Sequence, residues 1–137
     1  MAAFTREIKI RFQHCDPAGI VFYPRYFEMF NQMVEDWFAE GVGMSFQTMH
    51  QEHHFGVPLV HSEADFLRAS RIGEVLTFSL ELLELGRKSF LLRVRASGDG
   101  ETRVEATLRL ACVTLGEPLR GIEIPPALRS EMERYLA

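Results

Sequence analysis

The chain has 137 residues, a formal net charge of −4 and a hydrophobic fraction of 47%. This length and apolar content suffice for a core that buries roughly two-thirds of the unfolded surface, so we expect a single domain over residues 1–137. The negative charge argues against a nucleic-acid partner held by phosphate neutralisation, and no apolar run is long enough to predict a membrane span. With two cysteines and no apolar N-terminal stretch typical of a secretion signal, the sequence predicts a cytoplasmic protein without a disulfide framework.

The chain opens with an alternating segment, residues 4–12, which predicts a half-buried strand. Its apolar face carries Ile8, Ile10 and Phe12. The next motif, Asp16-Pro17-Ala18-Gly19, has the residues of a type I turn. The motif allows two interpretations, a plain structural turn or the loop of a functional site. The apolar run 20–23 after it favours a buried pocket over a solvated connection.

A helix is predicted to begin at or beside Pro24, whose fixed φ suits the first turn and which lacks an N–H. The residues before it, Phe22 and Tyr23, are not helix-capping residues, so the first-turn amides stay available. At the positive end of the helix dipole, such amides bind an anion or polarise a carbonyl oxygen. Because the carboxylate of Asp16 precedes them closely, the segment has a layout for attacking a carbonyl group.

This helix is predicted to run from about Pro24 to Glu40 and to end at Gly41. Its apolar side chains form a wide stripe at helical spacing, which requires a large covering surface. The stripe consists of Tyr26, Phe27, Phe30, Met33, Val34, Trp37 and Phe38. A second, short helix is predicted over residues 45–54.

Four alternating segments follow, and each predicts a strand with one apolar face. They cover residues 57–67, 74–85, 90–96 and 103–112, and the short links 85–88 and 97–100 make the sheet antiparallel. Alternation places Arg103 on the polar face of the last strand, together with Glu105, Thr107 and Arg109. Pro125 and Pro126 open a last short helix that reaches Leu136. One strand, a long helix and four strands predict an α+β fold in which a curved five-stranded antiparallel sheet wraps the helix.

From residue 8 to about residue 126 the chain resembles the hotdog-fold acyl-CoA thioesterases of the 4-hydroxybenzoyl-CoA thioesterase family. Four segments carry the resemblance: Asp16-Pro17-Ala18-Gly19-Ile20-Val21-Phe22-Tyr23-Pro24-Arg25-Tyr26, Gly56-Val57-Pro58-Leu59-Val60, Gly86-Arg87-Lys88-Ser89-Phe90 and Leu119-Arg120-Gly121-Ile122-Glu123-Ile124-Pro125. The resemblance implies a single hotdog domain that hydrolyses an acyl-CoA to a free acid and CoA and needs no cofactor.

The resemblance also assigns roles to individual residues. It implies that Asp16 is the catalytic carboxylate and that the backbone amide of Tyr23 polarises the thioester carbonyl. For Asp16 two mechanisms stay open: a nucleophile that forms a mixed anhydride with the acyl group, or a general base that activates water. The basic segment implies Arg87, Lys88 and Ser89 as ligands of the coenzyme A phosphates. Arg120 is a further candidate for the same role.

The chain departs from the 4-hydroxybenzoyl branch at Asn31, where that branch has a carboxylate near the aromatic pocket. We therefore expect an aromatic acyl group, similar to 4-hydroxybenzoyl, or one of medium length. In the resembled family, dimers join two sheets edge to edge, the sites form between subunits, and tetramers are common. A homo-oligomer, either a dimer or a homotetramer, is therefore expected. The sequence supports this with outward apolar residues, namely Val75, Leu91, Ala111 and Val113.

Two other functions stay open at this stage. A hotdog dehydratase or hydratase would use a histidine and a helix acid, and His14 with Glu28 or Glu35 supplies these residue types. The other function is a non-catalytic acyl-CoA-binding protein. His14 itself either orients Asp16 or packs structurally, and His61 is expected to have a structural role on the polar side of its strand.

Three further histidines, His50, His53 and His54, have the helical spacing that would bring two imidazoles to one metal ion. No carboxylate or cysteine partner is identifiable for them and the segment is polar, so a solvated helix face is the preferred interpretation and no metal is expected.

Overall fold

The computed structural model describes residues 3–137. The strands are β1 (Phe4–Lys9), β2 (Phe55–Gly56), β3 (Leu59–Phe66), β4 (Val75–Leu85), β5 (Ser89–Gly98), β6 (Glu101–Ala111) and β7 (Val113–Thr114); the α-helices are α1 (Tyr23–Asp36), α2 (Phe46–Gln51) and α3 (Pro126–Glu133). The main sheet has five antiparallel strands in the order β1-β4-β5-β6-β3. The predicted α+β architecture, with one long helix against a five-stranded antiparallel sheet, is confirmed.

The core lies between α1 and the inner face of this sheet. The inward residues of the hairpin β4–β5 are fully buried, as their alternation predicts. They are Leu76, Phe78, Leu80, Leu82, Phe90, Leu92, Val94 and Ala96. Apolar residues of α1 pack against them, including Phe30, Met33 and Val34. This packing fixes the helix on the sheet, and with it the helix start that forms part of the candidate site.

The first predicted strand is shorter than the alternation suggests. β1 ends at Lys9, and Phe12 lies in a 3₁₀ turn with 83% of its surface exposed, so its prediction as a core residue is wrong. The strand stops because the backbone turns: the N–H of Arg11 donates to Nδ1 of His14 at 2.8 Å. Ile10 remains fully buried, since it pairs with Glu74 and Gly73 through backbone hydrogen bonds of 2.7 and 2.8 Å.

The long helix does not end at Gly41 as predicted. After Asp36 it continues as a π-helical segment, Trp37–Val42, and Gly43 ends it in the left-handed conformation, with φ +95°. Gly41 is required for a different reason. A β-carbon there would lie 2.8 Å from Cδ1 of Trp37 and 2.9 Å from the Tyr135 hydroxyl, so only glycine allows this close packing.

Other element ends also differ from the prediction: β5 and β6 are longer, whereas α2, β3 and α3 are shorter. α2 covers six residues and is capped by Ser45, whose Oγ accepts the Thr48 N–H at 3.1 Å. β3 begins at Leu59 and pairs with β6 alone, so it is an edge strand. α3 begins at Pro126 rather than Pro125 and ends at Glu133. In the part of the chain described, no helix has both the length and the apolar character needed to cross a bilayer.

Candidate active site

Backbone hydrogen bonds fix the turn that carries Asp16. The N–H of Gly19 donates to the Asp16 carbonyl oxygen at 2.9 Å, and the N–H of Ala18 donates to the carboxylate Oδ1 at 2.8 Å. Gly19 has φ +80°, which explains the glycine. The predicted turn is therefore present. It leaves Asp16 half-buried, and Oδ2 has no hydrogen-bond partner within residues 3–137.

The start of α1 lacks a side-chain cap, as predicted. The N-cap residue is Phe22, in extended conformation, and the helix begins at Tyr23, one residue before Pro24. The Arg25 N–H donates to the Phe22 carbonyl at 2.8 Å, and proline has no N–H. The N–H of Tyr23 has no acceptor among the described residues. A free donor therefore stands at the positive end of the helix dipole.

The loop between Asp16 and Tyr23 is closed at its base by an antiparallel bridge between Cys15 and Val21. The Cys15 thiol is free, and burial, together with the neighbouring Asp16, raises its pKa. The Tyr23 ring is mostly exposed and makes edge contacts with the rings of Phe22 and Phe66, at centroid distances of 5.5 and 6.2 Å. These ring contacts therefore do not involve the backbone N–H of Tyr23.

His14 has a structural role in this loop. Its Nδ1 accepts the Arg11 N–H, so this side of the ring faces the backbone of its own turn. Burial lowers the pKa of His14, and the charges of Arg11 and Arg25 lower it further. Within residues 3–137 no hydrogen bond joins His14 to Asp16, and the structural role is the alternative with support.

An apolar cleft of about 150 Å³ runs along α1 towards the β3 edge. Its walls include three aromatic rings, those of Phe27, Phe30 and Phe46, and its polar lining residue is Asn31. A second cleft of about 390 Å³ shares Asn31 and Phe46 and extends to Leu119. Asn31 thus lies two helical turns beyond the free Tyr23 N–H, where two apolar spaces meet.

The basic residues expected to bind the CoA phosphates lie together, away from the Asp16 loop. Arg87 and Lys88 form the turn between β4 and β5, closed by a hydrogen bond from the Gly86 N–H to the Ser89 carbonyl at 2.8 Å. The Arg87 guanidinium is exposed and lies 3.5 Å from the Glu123 carboxylate. Residues 120–124 run beside the turn, because the Ile124 N–H donates to the Arg87 carbonyl at 2.9 Å.

Arg120 belongs to the same surface. Its N–H donates to Oγ1 of Thr114 at 3.1 Å, and its side chain is exposed. The next residue, Gly121, faces Lys88: a β-carbon there would lie 3.8 Å from Cδ of that lysine. The structure therefore brings the four phosphate-binding candidates, Arg87, Lys88, Ser89 and Arg120, to one region.

The basic turn and the Asp16 loop lie at opposite ends of β4. The loop is held next to the start of this strand, because Ile20 bridges to Arg71 and the Ile72 N–H donates to the Gly19 carbonyl at 3.1 Å. The basic turn follows the other end of the strand. With eleven residues at about 3.3 Å each, β4 spans roughly 30–35 Å. One subunit does not bring the two groups together.

The histidine cluster is arranged as a surface feature. The His50 ring stacks on the ring of Phe46 at 5.7 Å, and His53 lies at 6.5 Å from Phe55. His54, exposed, has φ +56° and is outside α2. Across residues 3–137 no three His, Cys, Asp or Glu side chains are grouped to hold a metal ion.

Sequence alternation missed Arg103, which it places on the polar face. Arg103 is buried, with 3% of its surface exposed, and so is its neighbour Val104. Strand register shifts between Ala96 and Ser97, which breaks the alternation at this end of the hairpin. The glycine at position 98 is the feature of the sequence that could have indicated this burial. A β-carbon there would lie 3.1 Å from Nη2 of Arg103, so the glycine makes room for the guanidinium.

The sheet order and the long helix enclosed by the sheet define the class of the protein, a hotdog fold. The sequence profile of the thioesterase-like superfamily matches residues 10–132, and the chain belongs to this superfamily. The predicted resemblance to 4-hydroxybenzoyl-CoA thioesterases is confirmed, as is the prediction that the protein is an enzyme of the acyl-CoA thioester hydrolase class.

Named relatives cover nearly the whole chain. The chain is 32% identical over 130 residues to 4-hydroxybenzoyl-CoA thioesterase of Pseudomonas sp. (strain CBS-3), which is 90% of this chain and 92% of that protein. It is 29% identical over 113 residues, 80% of each protein, to 1,4-dihydroxy-2-naphthoyl-CoA hydrolase of Acaryochloris marina (strain MBIC 11017). The solved structure of the Pseudomonas enzyme superposes with a TM-score of 0.87 at 30% identity, covering 94% of this chain and 98% of that one.

Proposed function

We propose that the chain is a single hotdog domain that hydrolyses aromatic acyl-CoA thioesters, in the cytoplasm and without a cofactor. The observation that carries this proposal is the free N–H of Tyr23 at the start of α1, on the same short loop as the carboxylate of Asp16. The ring-lined cleft along the same helix supports an aromatic acyl group. The named relatives support it too, because both act on CoA esters of aromatic acids.

In the proposed reaction the thioester carbonyl oxygen accepts a hydrogen bond from the Tyr23 N–H. Negative charge develops on this oxygen when the carbonyl carbon is attacked, and the helix dipole stabilises it. Asp16 supplies the attack in one of two ways. Its free Oδ2 bonds to the carbonyl carbon and expels the CoA thiolate, leaving a mixed anhydride that water resolves, or it takes a proton from an attacking water. The hydrogen bond from Ala18 to Oδ1 orients the carboxylate in both.

The acyl group then lies along α1, past Phe27 towards Asn31. The aromatic walls of the cleft give it apolar contact, and Asn31 offers a neutral donor and a neutral acceptor. A neutral amide contacts a polar ring substituent without requiring it to be charged or phenolic. Medium-length acyl groups fit the same apolar cleft, and the two clefts that share Asn31 provide room for them.

The nucleotide of CoA is proposed to bind at Arg87, Lys88 and Ser89, with Arg120 beside them. These residues are exposed or half-buried at a turn, where their positive charges contact the phosphates while both groups stay largely solvated. An extended pantetheine arm is shorter than β4. One substrate therefore spans two subunits. Its phosphates contact the basic turn of one subunit, and its thioester contacts Asp16 of the other.

This geometry makes a homo-oligomer part of the proposal, as a dimer or as a tetramer of hotdog subunits. The edge strand β3 has unpaired backbone groups on its outer side, and its Leu59, Val60 and Phe66 are about half exposed. Val75 on the outer sheet face is also half exposed. Association along these surfaces covers them and creates sites between subunits.

The two alternative functions have less support. A dehydratase would use His14 with Glu28 or Glu35, but one nitrogen of His14 accepts the Arg11 N–H and the Glu28 carboxylate pairs with Arg25 at 3.0 Å. The test is a steady-state assay of the wild-type protein on a panel of aromatic and aliphatic acyl-CoA thioesters, with detection of the released thiol. Turnover of aromatic thioesters is expected. Enoyl-CoA hydration would establish the dehydratase, and binding without turnover would establish the non-catalytic acyl-CoA-binding protein.

A further inference from the structure

A buried ion pair joins Arg103 on β6 to Glu74, the residue before β4. Two hydrogen bonds connect the groups, Nη1 to Oε1 at 3.0 Å and Nη2 to Oε2 at 2.8 Å. The arginine side chain is 4% exposed and the glutamate side chain 28%. A two-point pair of this kind fixes both distance and orientation, and removing one partner leaves the other charge uncompensated in a poorly solvated place. It is therefore a rigid connection between two parts of the fold.

The same guanidinium also binds backbone and hydroxyl oxygens. Nη1 donates to the Ala69 carbonyl and to Oγ of Ser70, both at 3.2 Å, and Nη2 donates to the Gly98 carbonyl at 3.1 Å. The backbone carbonyl of Arg103 accepts the N–H groups of residues 67 and 68, at 2.8 and 3.1 Å. Arg103 thus organises the whole non-strand segment 67–74, which connects β3 to β4.

This segment in turn holds the loop that carries Asp16. The Val21 N–H donates to the Ser70 carbonyl at 2.9 Å, and the Ile72 N–H donates to the Gly19 carbonyl at 3.1 Å. The hydroxyl of Tyr26, in the first turn of α1, donates to Oγ of Ser70 at 2.9 Å. Segment 67–74 is therefore bonded both to the loop after Asp16 and to the helix start that presents the Tyr23 N–H.

We infer that the Arg103–Glu74 pair is a positioning element of the active site, which sets the carboxylate of Asp16 relative to the Tyr23 N–H through residues 69–72. This inference rests on the proposed thioesterase function, since it concerns the same site. Arg103 does not touch the substrate. Its effect is on geometry, and a misplacement of reacting groups by about 1 Å costs up to about a hundredfold in rate.

The test compares three variants with the wild type. Arg103→Met removes the pair and leaves the carboxylate of Glu74 partly buried. Arg103→Met combined with Glu74→Gln removes both charges, while the glutamine keeps an acceptor for the Arg71 N–H that Glu74 binds at 2.7 Å. The matched control is Arg109→Met, on the same strand, which removes an exposed pair with Glu84 of nearly the same length, 2.9 Å.

We expect Arg103→Met to lower kcat about ten- to a hundredfold and to change KM by less than about threefold. The double variant should regain thermal stability, because no uncompensated charge remains, but kcat should stay low, because the bonds to Ala69, Ser70 and Gly98 are still missing. Arg109→Met should retain wild-type kcat and KM. A purely structural role predicts the opposite, recovery of kcat together with stability in the double variant.

Amide hydrogen exchange supplies a readout that needs no substrate. In both Arg103 variants the N–H groups of Val21 and Ile72 should exchange faster than in the wild type, with no change in Arg109→Met. Unchanged exchange at these two amides, or wild-type kcat in a folded Arg103 variant, would overturn the inference. If the wild-type protein hydrolyses no CoA thioester, the proposed function fails instead, and the exchange result alone decides whether the pair positions the loop.

Discussion

The backbone N–H of Phe22 donates a hydrogen bond to the carbonyl oxygen of His14 at 2.9 Å. This bond joins the residue just before the free Tyr23 N–H to a residue two positions before Asp16. The loop 14–22 is therefore a closed unit whose two ends are joined by a hydrogen bond at its base. A carboxylate and a hydrogen-bond donor held in this way need little rearrangement to act on the same carbonyl group.

The phenol of Tyr23 is predicted to be dispensable. The proposed donor is the backbone N–H, and the ring makes only edge contacts with Phe22 and Phe66. Tyr23→Phe keeps both the ring and the backbone, so kcat and KM for an aromatic acyl-CoA should stay within about threefold of wild type. A loss of kcat of a hundredfold or more in steady-state assays would transfer the role to the hydroxyl group.

The basic turn is predicted to act on substrate binding. Changing both Arg87 and Lys88 to Ala should raise KM for a CoA thioester about ten- to a hundredfold, or roughly 1.4 to 3 kcal/mol, and leave kcat near wild type. Phosphates lie far from the reacting carbonyl, so their contacts stabilise ground and transition states alike. The dependence of KM on salt should also weaken.

A pantetheine thioester of the same acyl group is the control for this pair, because it lacks the nucleotide. Its KM should not change in the double variant. An equal rise in KM for both substrates would mean that the two residues act through the fold.

Mixed oligomers test whether Asp16 and the basic turn of one site come from different subunits. Subunits carrying Asp16→Asn are combined with subunits carrying Arg87→Ala and Lys88→Ala, and the mixed species is purified by two different tags. In a symmetric two-subunit site, one of the two sites then has both changes and the other has none. Activity at low substrate concentration should recover to about half of wild type. No recovery, or an active monomer in light scattering, contradicts the arrangement.

The ion pair of Glu74 gives the stability a defined dependence on pH. The hydrogen bonds from Arg103 lower the pKa of this carboxyl below its ordinary value, with a further contribution from the Arg71 N–H. The stabilisation is fully present above the pKa of the unfolded chain, about 4.3, and is lost as pH falls through the lower pKa of the folded protein. Glu74→Gln removes this dependence.

Chemical unfolding of wild type and Glu74→Gln across this range measures the effect. The difference in free energy of unfolding should be constant at neutral pH and shrink below about pH 4.3. A difference that does not change with pH would show that the carboxyl is not held ionised by Arg103.

Much of this fold follows from the sequence because its signals are local. The inward residues of β4 and β5 alternate along most of their length, and Asp99-Gly100 supplies the two positive φ angles that a tight hairpin turn needs. The turn at Asp16 and the uncapped helix start are equally local, since they depend on Gly19 and Pro24. These features place the proposed carboxylate and donor without knowledge of tertiary structure.

Other features depend on contacts between distant residues. Phe12 continues the strand pattern, but it lies inside the turn that the hydrogen bond from Arg11 to His14 closes, and its side chain is exposed. Gly41 is typical of a helix end, yet it serves close packing of Trp37, and the helix ends at Gly43. Arg103 alternates with polar residues and is nevertheless buried, because a register shift and Gly98 admit its side chain. Alternation alone does not contain this information.

The central claim is that Asp16, beside the Tyr23 N–H, carries out thioester hydrolysis. The most direct test is the kcat of Asp16→Asn for an aromatic acyl-CoA, measured by released thiol, with Asp36→Asn, at the far end of α1, as the matched control. We expect kcat of Asp16→Asn to fall by at least about a hundredfold, with circular dichroism and thermal stability unchanged, and kcat of Asp36→Asn to equal that of the wild type. A folded Asp16→Asn protein that turns over its substrate at the wild-type rate would contradict this claim.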